Sequence, residues 1–421
     1  MQNRLALSVA AAILAAPLAA HAACAPDNDG LTLPQEICAE IFADVGGPTR
    51  HIVVDRDGTL YADMWGSPRR RNLATEPGQM IVALKDTDGD GKADKTAHMG
   101  LAGDQTGGTG IAIREGYLYA EAGNKIVRFK LGAPNAQAET IVDGLPMTGD
   151  HTMHSIALGP DGALYVNSGS PSNACQQTNR TLHSPGKDPC EELATRAGIW
   201  KFDANKTGQT FDAAHRYATG LRNSVALTLG PNGTLYALPH GRDQLHENWP
   251  EHFDVRQGSE LPSEMLVRVT QDANFGWPYC YYDQEQSKYI LAPEYGGDGK
   301  KIDRCTNVPA PIAAYPGHWA PNALLVYTGN ALPARYSGGL FIAFHGSWNR
   351  DKQQGYFVVF QPLDASGNPN GKYEVFADGF AGPNKTPGGA AHRPTGLAQG
   401  PDGALYVSDD AKGRIWRIVS R

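Results

Sequence analysis

A short motif recurs along this chain: an apolar strand, a tight turn ending in glycine, and a second strand that opens with Leu-Tyr. The turns are Asp-Gly or Asn-Gly, and once Glu-Gly. Asp-Gly and Asn-Gly supply the positive φ angles that tight hairpins need, and the alternation of apolar residues is typical of strands. The second strands, with one degenerate copy at the end, open at Leu60-Tyr61, Leu118-Tyr119, Leu164-Tyr165, Leu235-Tyr236, Leu405-Tyr406 and Leu340-Phe341.

This repetition predicts an all-β fold, a six-bladed β-propeller, because one small sheet cannot bury both of its faces alone. We expect a single propeller domain over residues 23–421, closed by pairing of residues 39–43 with residues 415–418. The 49 glycines and 29 prolines agree with a turn-rich β protein. The irregular spacing predicts long rim loops at residues 175–190 and 245–295 that shape a site. A two-sheet sandwich is the alternative fold.

The first residues are typical of a secretory signal peptide over residues 1–22. Arg4 supplies the positive start, residues 5–20 are apolar, and Ala20-His21-Ala22 is a small-x-small cleavage site. The alternative is a membrane anchor, but the run is short for a span, which needs about 20 residues. We therefore expect a soluble protein, periplasmic or secreted, without a membrane span.

The cysteines and the charge limit the function further. In an exported protein the close couples predict structural disulfides, and we expect sequential pairing of Cys24–Cys38, Cys175–Cys190 and Cys280–Cys305. None of the couples has the spacing of a metal site. The net charge of −7 argues against a nucleic-acid partner, because such proteins normally carry a basic excess.

Polar residues precede or open the strand that each repeat would place nearest the axis. They are Arg50, Gln105, His151, Arg222, Asn223 and Arg393. Three arginines and a histidine around one axis would repel one another. A polyanionic ligand with planar oxygens would relieve that repulsion, because arginine binds carboxylates in a bidentate manner. The alternative for each arginine alone is a salt bridge on the rim.

Several of these residues stand in motifs that resemble those of the glucose/sorbosone dehydrogenases, soluble quinoproteins that use pyrroloquinoline quinone and calcium. The similarity runs from about Pro34 to Ile418 and is greatest to the sorbosone dehydrogenases and fungal pyranose dehydrogenases. The matching motifs are Gly149-Asp150-His151, Gly159-Pro160-Asp161-Gly162, Gly220-Leu221-Arg222-Asn223, Gly241-Arg242-Asp243, Phe275-Gly276-Trp277-Pro278, His345-Gly346-Ser347-Trp348-Asn349-Arg350 and Arg393-Pro394-Thr395-Gly396.

The resemblance implies a role for each matching residue. His151 corresponds to the general base that takes the proton from the sugar hydroxyl, and its neighbour Asp150 also matches. The backbone carbonyls of Gly241 and Arg242 correspond to the calcium ligands of the family. The positions that face the cofactor or the substrate are occupied by Gln105, Arg222, Asn223 and Arg393. Arg50 joins this cofactor-binding set because of its place at the start of an inner strand.

Because the chain departs from the family pattern at several positions, the resemblance does not identify the sugar substrate. An acid that supports the base in the glucose enzymes is Ser170 here, and a second arginine after Arg393 is Thr395. A glutamine is replaced by His240 and a later acid by His246. The lysine that meets the quinone carboxylates has no clear counterpart, although Arg350 or Lys352 lies in the corresponding stretch, and we count Arg350 and His240 among the cofactor-binding residues.

A second calcium signal stands apart from these motifs. Oxygen-bearing side chains alternate at Asp86, Asp88, Asp90 and Asp94, with Gly91 for the turn, which resembles the start of a calcium loop. The bidentate glutamate expected at the twelfth position is Ala97. Hairpins rich in Asp-Gly also occur without metal, so both interpretations stay open.

Other side chains carry two interpretations. His154 is either a hydrogen-bonded structural histidine or part of the site. Each of Trp277, Trp319 and Trp348 either stacks on a quinone or sugar or packs in the core.

These observations favour a quinoprotein that oxidises an aldose or related sugar. A calcium-dependent lactonase on the same fold would need carboxylate and asparagine side chains directly on a channel metal, whereas the inner positions identified here are basic. A non-catalytic propeller that binds carbohydrate or protein is a further alternative. The sequence lacks a Cys-x-x-Cys-His haem motif, so the quinoprotein interpretation implies a separate electron acceptor.

Overall fold

The repeated motifs fold into antiparallel sheets in which each Leu-Tyr strand pairs with the apolar strand that precedes it. The structure is a computed structural model, and it describes residues 24–65, 80–100, 108–133 and 137–421. The predicted signal peptide and Gln105 therefore lie outside the described residues. Strands are numbered β1 to β27 in chain order.

The first three blades each begin with the strand nearest the axis and proceed outward. Blade 1 contains β2 (Thr49–Val54), β3 (Leu60–Met64), β4 (Ile81–Lys85) and β5 (Lys95–Met99). Blade 2 contains β6 (Ile111–Arg114), β7 (Tyr117–Ala122), β8 (Lys125–Lys130) and β9 (Glu139–Asp143). Blade 3 contains β10 (Ile156–Leu158), β11 (Ala163–Ser168), β12 (Gly198–Asp203) and β14 (Arg216–Thr219). The short strand β13 (Gln209–Thr210) adds to the outer edge of blade 2.

The last three blades complete the ring. Blade 4 contains β15 (Ala226–Leu229), β16 (Leu235–Leu238), β17 (Glu264–Val269) and β20 (Ala313–Tyr315). Blade 5 contains β21 (Pro321–Val326), β22 (Leu340–Phe344), β23 (Phe357–Gln361) and β24 (Glu374–Ala377). Blade 6 contains β25 (Pro394–Gln399), β26 (Leu405–Asp409), β27 (Arg414–Ser420) and β1 (Ile37–Asp44).

Blade 6 closes the ring as predicted, because its outer strand comes from the other end of the chain. β1 pairs antiparallel with β27, with Ile37 opposite Ser420 and Ile41 opposite Trp416. The inner strands β2, β6, β10, β15, β21 and β25 contact one another in that order, and β25 contacts β2 again. The six-bladed β-propeller predicted from the repeats is therefore confirmed.

Apolar side chains fill the spaces between blades. One cluster joins Tyr119 and Ile126 of blade 2 to Val166 and Trp200 of blade 3, and a corresponding cluster joins blades 5 and 6. Each blade thus buries its faces against its neighbours, which is why a single repeat is not stable alone.

Buried polar side chains at one end of the ring tie each blade to the next. Asp63 of blade 1 accepts a hydrogen bond from the Gly108 amide, and Glu121 of blade 2 accepts one from the His154 amide. The remaining ties are Asn167 to the Ser224 amide, Glu264 to the Ala320 amide, His345 to Asp410 and Ser408 to the Arg50 carbonyl. These contacts place the starts of the inner strands side by side.

The rim loops carry the remaining elements. Helices α1 (Leu245–Asn248) and α2 (Val255–Glu260) and the hairpin of β18 (Cys280–Asp283) with β19 (Lys288–Leu291) all come from blade 4 connections. The prediction that residues 245–295 form one insertion is wrong in part, because β17 of blade 4 lies within that stretch. Within the described ranges, the structure contains no helix with the length and apolar character that crossing a membrane requires.

The predicted disulfides are confirmed: Cys24 bonds Cys38, Cys175 bonds Cys190, and Cys280 bonds Cys305. Cys280–Cys305 closes a loop with a sequence separation of 25. Replacing both of these cysteines by alanine is expected to lower the free energy of unfolding by about 3 kcal/mol, because the bridge restricts the unfolded chain. Urea unfolding of the oxidised proteins measures the change. An unchanged unfolding midpoint would contradict the structural role.

Candidate active site

A cavity of about 360 Å³ opens at the end of the ring where the inner strands begin. Its volume lies within the range of small-molecule sites, about 300–1,000 Å³. It is lined by Asp150, His151, Arg180, Arg222, His240, Gly241, Asp243, Glu264, His318, Ala320, Trp348 and Asn349. Most of these residues belong to connections that enter or leave the two innermost strands of blades 3, 4 and 5, so the repeats themselves position the site.

His151 presents one ring nitrogen to this cavity and commits the other to the main chain. Its Nδ1 lies 2.6 Å from the Ser170 carbonyl oxygen and 3.2 Å from the Ser170 hydroxyl. A carbonyl only accepts hydrogen bonds, so we assign the proton of the neutral ring to Nδ1. Nε2 is then the nitrogen left for a substrate. Burial, followed by the charge of Arg222, lowers the pKa of His151 well below its ordinary value, so the ring is neutral at neutral pH.

Asp243 joins three parts of the site. Its carboxylate accepts hydrogen bonds from Arg180 Nη1 at 3.0 Å, Arg222 Nη2 at 2.9 Å and Asn349 Nδ2 at 3.0 Å. Burial would raise the pKa of Asp243, but the charges of Arg222, His318 and Arg180 outweigh it and hold that pKa well below its usual range. The ionised Asp243 therefore orients both arginines beside the cavity.

Asp150 lies at the mouth of the cavity. Arg180 contacts its Oδ2 through Nε and Nη2, each at 3.0 Å. Arg180 belongs to the loop closed by Cys175–Cys190, so that rim loop does shape the site, as the sequence predicts. The Asp150–Arg180 pair is partly exposed.

Gly241 supplies both main-chain groups to the site. Its amide donates to Glu264 Oε2 at 2.9 Å, and its carbonyl accepts from Arg222 Nη1 at 2.8 Å. A carbonyl oxygen has two lone pairs, so one remains available to a metal. Burial raises the pKa of Glu264 to about 8. The Arg242 side chain lies outside the cavity lining and forms a buried ion pair with Glu294 at 2.6 Å.

A sequence model of the TrAA12-like family matches residues 38–421 of this chain. The chain belongs to the TrAA12-like family. The relatives described next include a pyrroloquinoline quinone-dependent pyranose dehydrogenase, which confirms the resemblance seen in the motifs.

Two curated proteins align with parts of this TrAA12-like chain. A pyrroloquinoline quinone-dependent pyranose dehydrogenase of Coprinopsis cinerea is 29% identical over 234 residues, which are 47% of this chain and 30% of that protein. An uncharacterized protein of Borreliella burgdorferi is 30% identical over 202 residues, 48% of each protein. The aligned parts thus span less than half of either relative.

Solved structures share the fold over nearly the whole length. The holo form of the pyranose dehydrogenase PQQ domain from Coprinopsis cinerea superposes with a TM-score of 0.72 at 20% identity, over 92% of this chain and 97% of that one. The PQQ-bound aldose sugar dehydrogenase of Streptomyces coelicolor gives a TM-score of 0.55 at 16% identity, over 93% and 100%.

Acceptor groups compensate the charges of the inner arginines in the TrAA12-like chain. Arg50 Nε lies 3.2 Å from Asp410, and Arg222 pairs with Asp243. Arg393 donates to the His345 carbonyl at 3.1 Å and the Gly346 carbonyl at 2.7 Å. The cavity is also lined by two acids, Asp243 and Glu264. Asp243 follows β16 and Glu264 opens β17, so neither acid stands at the start of an inner strand.

Other predicted cofactor residues are distributed between the cavity and its surroundings. His240 lines the cavity, and its Nε2 lies 2.9 Å from the Pro321 carbonyl. Asn223 is buried beside Asn167. Arg350 is buried against the carbonyls of two rim residues and pairs with Glu260. Neither Asn223 nor Arg350 is among the described residues that line the cavity.

The three tryptophans separate clearly. Trp348 is 52% exposed and lines the cavity, whereas Trp277 and Trp319 are buried. The Trp277 indole donates to the Asn173 carbonyl, and Trp319 packs edge-on against Phe344. Trp348 is therefore the member of the three that can stack on a ligand.

His154 proves to be a structural histidine. It is fully buried, and its Nδ1 lies 3.0 Å from Glu121 Oε1. The same carboxylate oxygen accepts from the His154 amide, so the residue belongs to the tie between blades 2 and 3.

The acidic loop lies in the hairpin between β4 and β5. Carboxylate oxygens of Asp86, Asp88 and Asp94 come within 4.8 Å of one another, without Asp90. Asp86 also caps the amides of Gly89 and Gly91, an arrangement that a turn adopts without metal. Calcium in this loop stays a prediction.

Several lining residues were missed from the sequence. Asp243 and Asn349 stand inside two of the motifs that resemble those of the family, so these motifs point to them. Arg180 and His318 come from rim segments and Glu264 opens β17, and no motif points to these three residues.

Proposed function

We propose that this chain is an exported quinoprotein that oxidises an aldose or a related sugar, with pyrroloquinoline quinone as hydride acceptor and calcium as its metal. The observation that carries the proposal is the presentation of His151 to the cavity. Its neutral ring, anchored through Nδ1, faces a space bordered by the Gly241 carbonyl and the Arg222 guanidinium. The named activity of the Coprinopsis relative supports the same assignment.

The residues present suit these groups. Arg222 and Arg180 offer cationic donors for carboxylates, and the exposed indole of Trp348 offers a flat apolar face. Asn349 Oδ1 is buried without a hydrogen-bond partner in the described part of the chain, so an additional donor or cation would satisfy it. The Gly241 carbonyl is a hard oxygen donor of the kind calcium prefers. The chemistry supplied by the bound groups is hydride acceptance and polarisation of the reacting carbonyl.

The chain's own residues then have distinct tasks. His151 accepts the hydroxyl proton of the sugar at Nε2. The carbonyls of Gly241 and Arg242 would hold calcium, and Arg222, His240 and Trp348 would hold the cofactor. Asp150 is held by Arg180 at the mouth, where a sugar enters.

Export and a separate electron acceptor complete the proposal. Three disulfides agree with an oxidising compartment. Electrons taken from the sugar would leave to a separate acceptor, which is a cytochrome, a quinone or a dye.

Reconstitution tests this function. Purified protein is titrated with pyrroloquinoline quinone, with and without calcium, while tryptophan fluorescence reports binding and dye reduction reports turnover on aldoses and sorbosone. We expect dye reduction that requires both additions and stops when a chelator removes calcium. Binding without turnover on any sugar would exclude the substrate class, and absence of binding together with hydrolysis of sugar lactones would favour a lactonase.

A further inference from the structure

We propose that Arg196 is a positioning residue for His151, and that its buried guanidinium holds the main-chain frame on which the orientation of the base depends. The inference rests on the proposed function, because it assigns His151 the role of base. Arg196 stands two residues before β12, at the cavity end of blade 3, and is 4% exposed.

The guanidinium binds three carbonyls around the base, which come from two segments of the chain. Nε donates to the Gly169 carbonyl at 2.6 Å, Nη1 to the Thr148 carbonyl at 2.9 Å, and Nη2 to the His151 carbonyl at 2.7 Å. One carbonyl precedes the base in the chain, one belongs to the base, and one precedes Ser170. The planar fork of arginine is suited to joining several acceptors at once.

Because Arg196 is buried and charged, its guanidinium needs these carbonyls as hydrogen-bond acceptors. Burial lowers the pKa of Arg196 to about 10, and Glu192 counters the shift, so the group stays charged at neutral pH. In the described part of the chain, the Glu192 carboxylate is bound by the Ser172 hydroxyl and forms no ion pair with the guanidinium. A buried charge must be compensated by hydrogen bonds, and the three carbonyls provide them.

This frame determines where the His151 ring points. The ring is anchored by the Ser170 carbonyl at 2.6 Å, and the preceding Gly169 carbonyl is the one that Arg196 binds. Gly169 also lies against the base, since a Cβ built there would be 2.6 Å from His151 Cβ. Here a neutral carbonyl anchors the base, and its position depends on Arg196.

The Arg196→Lys variant tests the assignment, because an ammonium cannot span three carbonyls. With quinone and calcium bound, we expect kcat to fall about 10- to 100-fold, since a misplacement of about 1 Å can cost that much. The KM for sugar and the affinity for the quinone should not change. Unchanged kcat, or a loss confined to KM or quinone affinity, would overturn the proposal.

A matched control separates positioning from stability. Tyr327→Phe removes the buried hydrogen bonds of the Tyr327 hydroxyl with the Gly403 carbonyl of blade 6 and the Leu332 amide, away from the cavity lining. We expect this variant to lose stability and to keep kcat. If Tyr327→Phe lowers kcat as much as Arg196→Lys does, the effect is one of stability and the proposal fails.

Nitrogen-15 NMR of labelled histidines tests the frame without catalysis, with His151 assigned from the spectrum of His151→Ala. The wild-type protein should show His151 protonated at Nδ1, and Arg196→Lys should show a mixture of tautomers. A wild-type ring protonated at Nε2 would overturn the proposal even if the lysine variant does not fold. If the wild-type protein oxidises no sugar, the proposed function fails, while the tautomer still decides whether Arg196 orients the ring.

Discussion

The His151→Ala variant is expected to bind pyrroloquinoline quinone with calcium but to oxidise sugar about 10²- to 10⁴-fold more slowly than the wild-type protein, the usual contribution of a positioned base. The reason is that Nε2 of His151 is the ring nitrogen left free at the cavity, whereas Nδ1 is held by Ser170. Steady-state dye reduction at saturating sugar measures the loss. A rate equal to that of the wild type would show that His151 is not the base.

The pH profile provides a second readout of the same residue. Burial and Arg222 lower the pKa of His151, so the neutral, proton-accepting form persists as the pH falls below the ordinary histidine value of about 6.5. The acid limb of the wild-type rate should therefore lie well below pH 6.5, and His151→Ala should lack it. His98→Ala, which changes an exposed histidine on β5, should leave both the rate and the limb unchanged.

The Trp416→Ala variant is expected to lose about 3–5 kcal/mol of unfolding free energy, the range for removing a buried large aromatic side chain. Trp416 is 1% exposed in β27, and it packs edge-on against Phe380 with ring centroids 5.1 Å apart. It also stands opposite Ile41 in the pairing that closes the ring. Such a loss is a large part of the stability of an ordinary domain, about 5–15 kcal/mol.

Urea unfolding measures this loss of unfolding free energy. A milder substitution of Trp416 and a control substitution at the surface are compared with it. Trp416→Phe keeps most of the packing, so it should lose less and remains measurable if the alanine variant does not fold. Val375→Ala changes a side chain that is about half exposed on β24 and should change stability by less than about 0.5 kcal/mol. A similar loss for Val375→Ala and Trp416→Ala would mean that ring closure does not depend on this core.

The fold could be predicted because its signals are local. The Leu-Tyr motif and its glycine turn specify a hairpin within a few residues. At Gly403, for example, φ is +85° and a Cβ would lie 2.8 Å from the Asn330 amide, so the turn demands glycine. The disulfides were also predictable, because each joins cysteines that are close in sequence. The extent of the rim insertions was not predictable. β17 follows β16 only after a long connection, and the sequence of β17 lacks the Leu-Tyr motif that marks the second strand of a repeat.

The site was predicted in part for the same reason. His151, Arg222 and Gly241 stand beside inner strands or in the turns next to them, so the repeat itself brings them to one cavity. Arg350 could not be placed, because whether it faces a ligand or packs against Gly317 and Glu260 depends on how two rim loops meet.

The sequence by itself determined the propeller, its closure by the two ends of the chain, the disulfides and the residues that the repeats carry to the axis. Only the tertiary structure decided how their charges are compensated. Arg50 meets Asp410, and Arg222 meets Asp243 between two other donors. Arg196 meets three carbonyls. These partners come from different blades or rim loops, and a buried charge selects whichever acceptors the packed fold brings within hydrogen-bond distance, which no local pattern encodes.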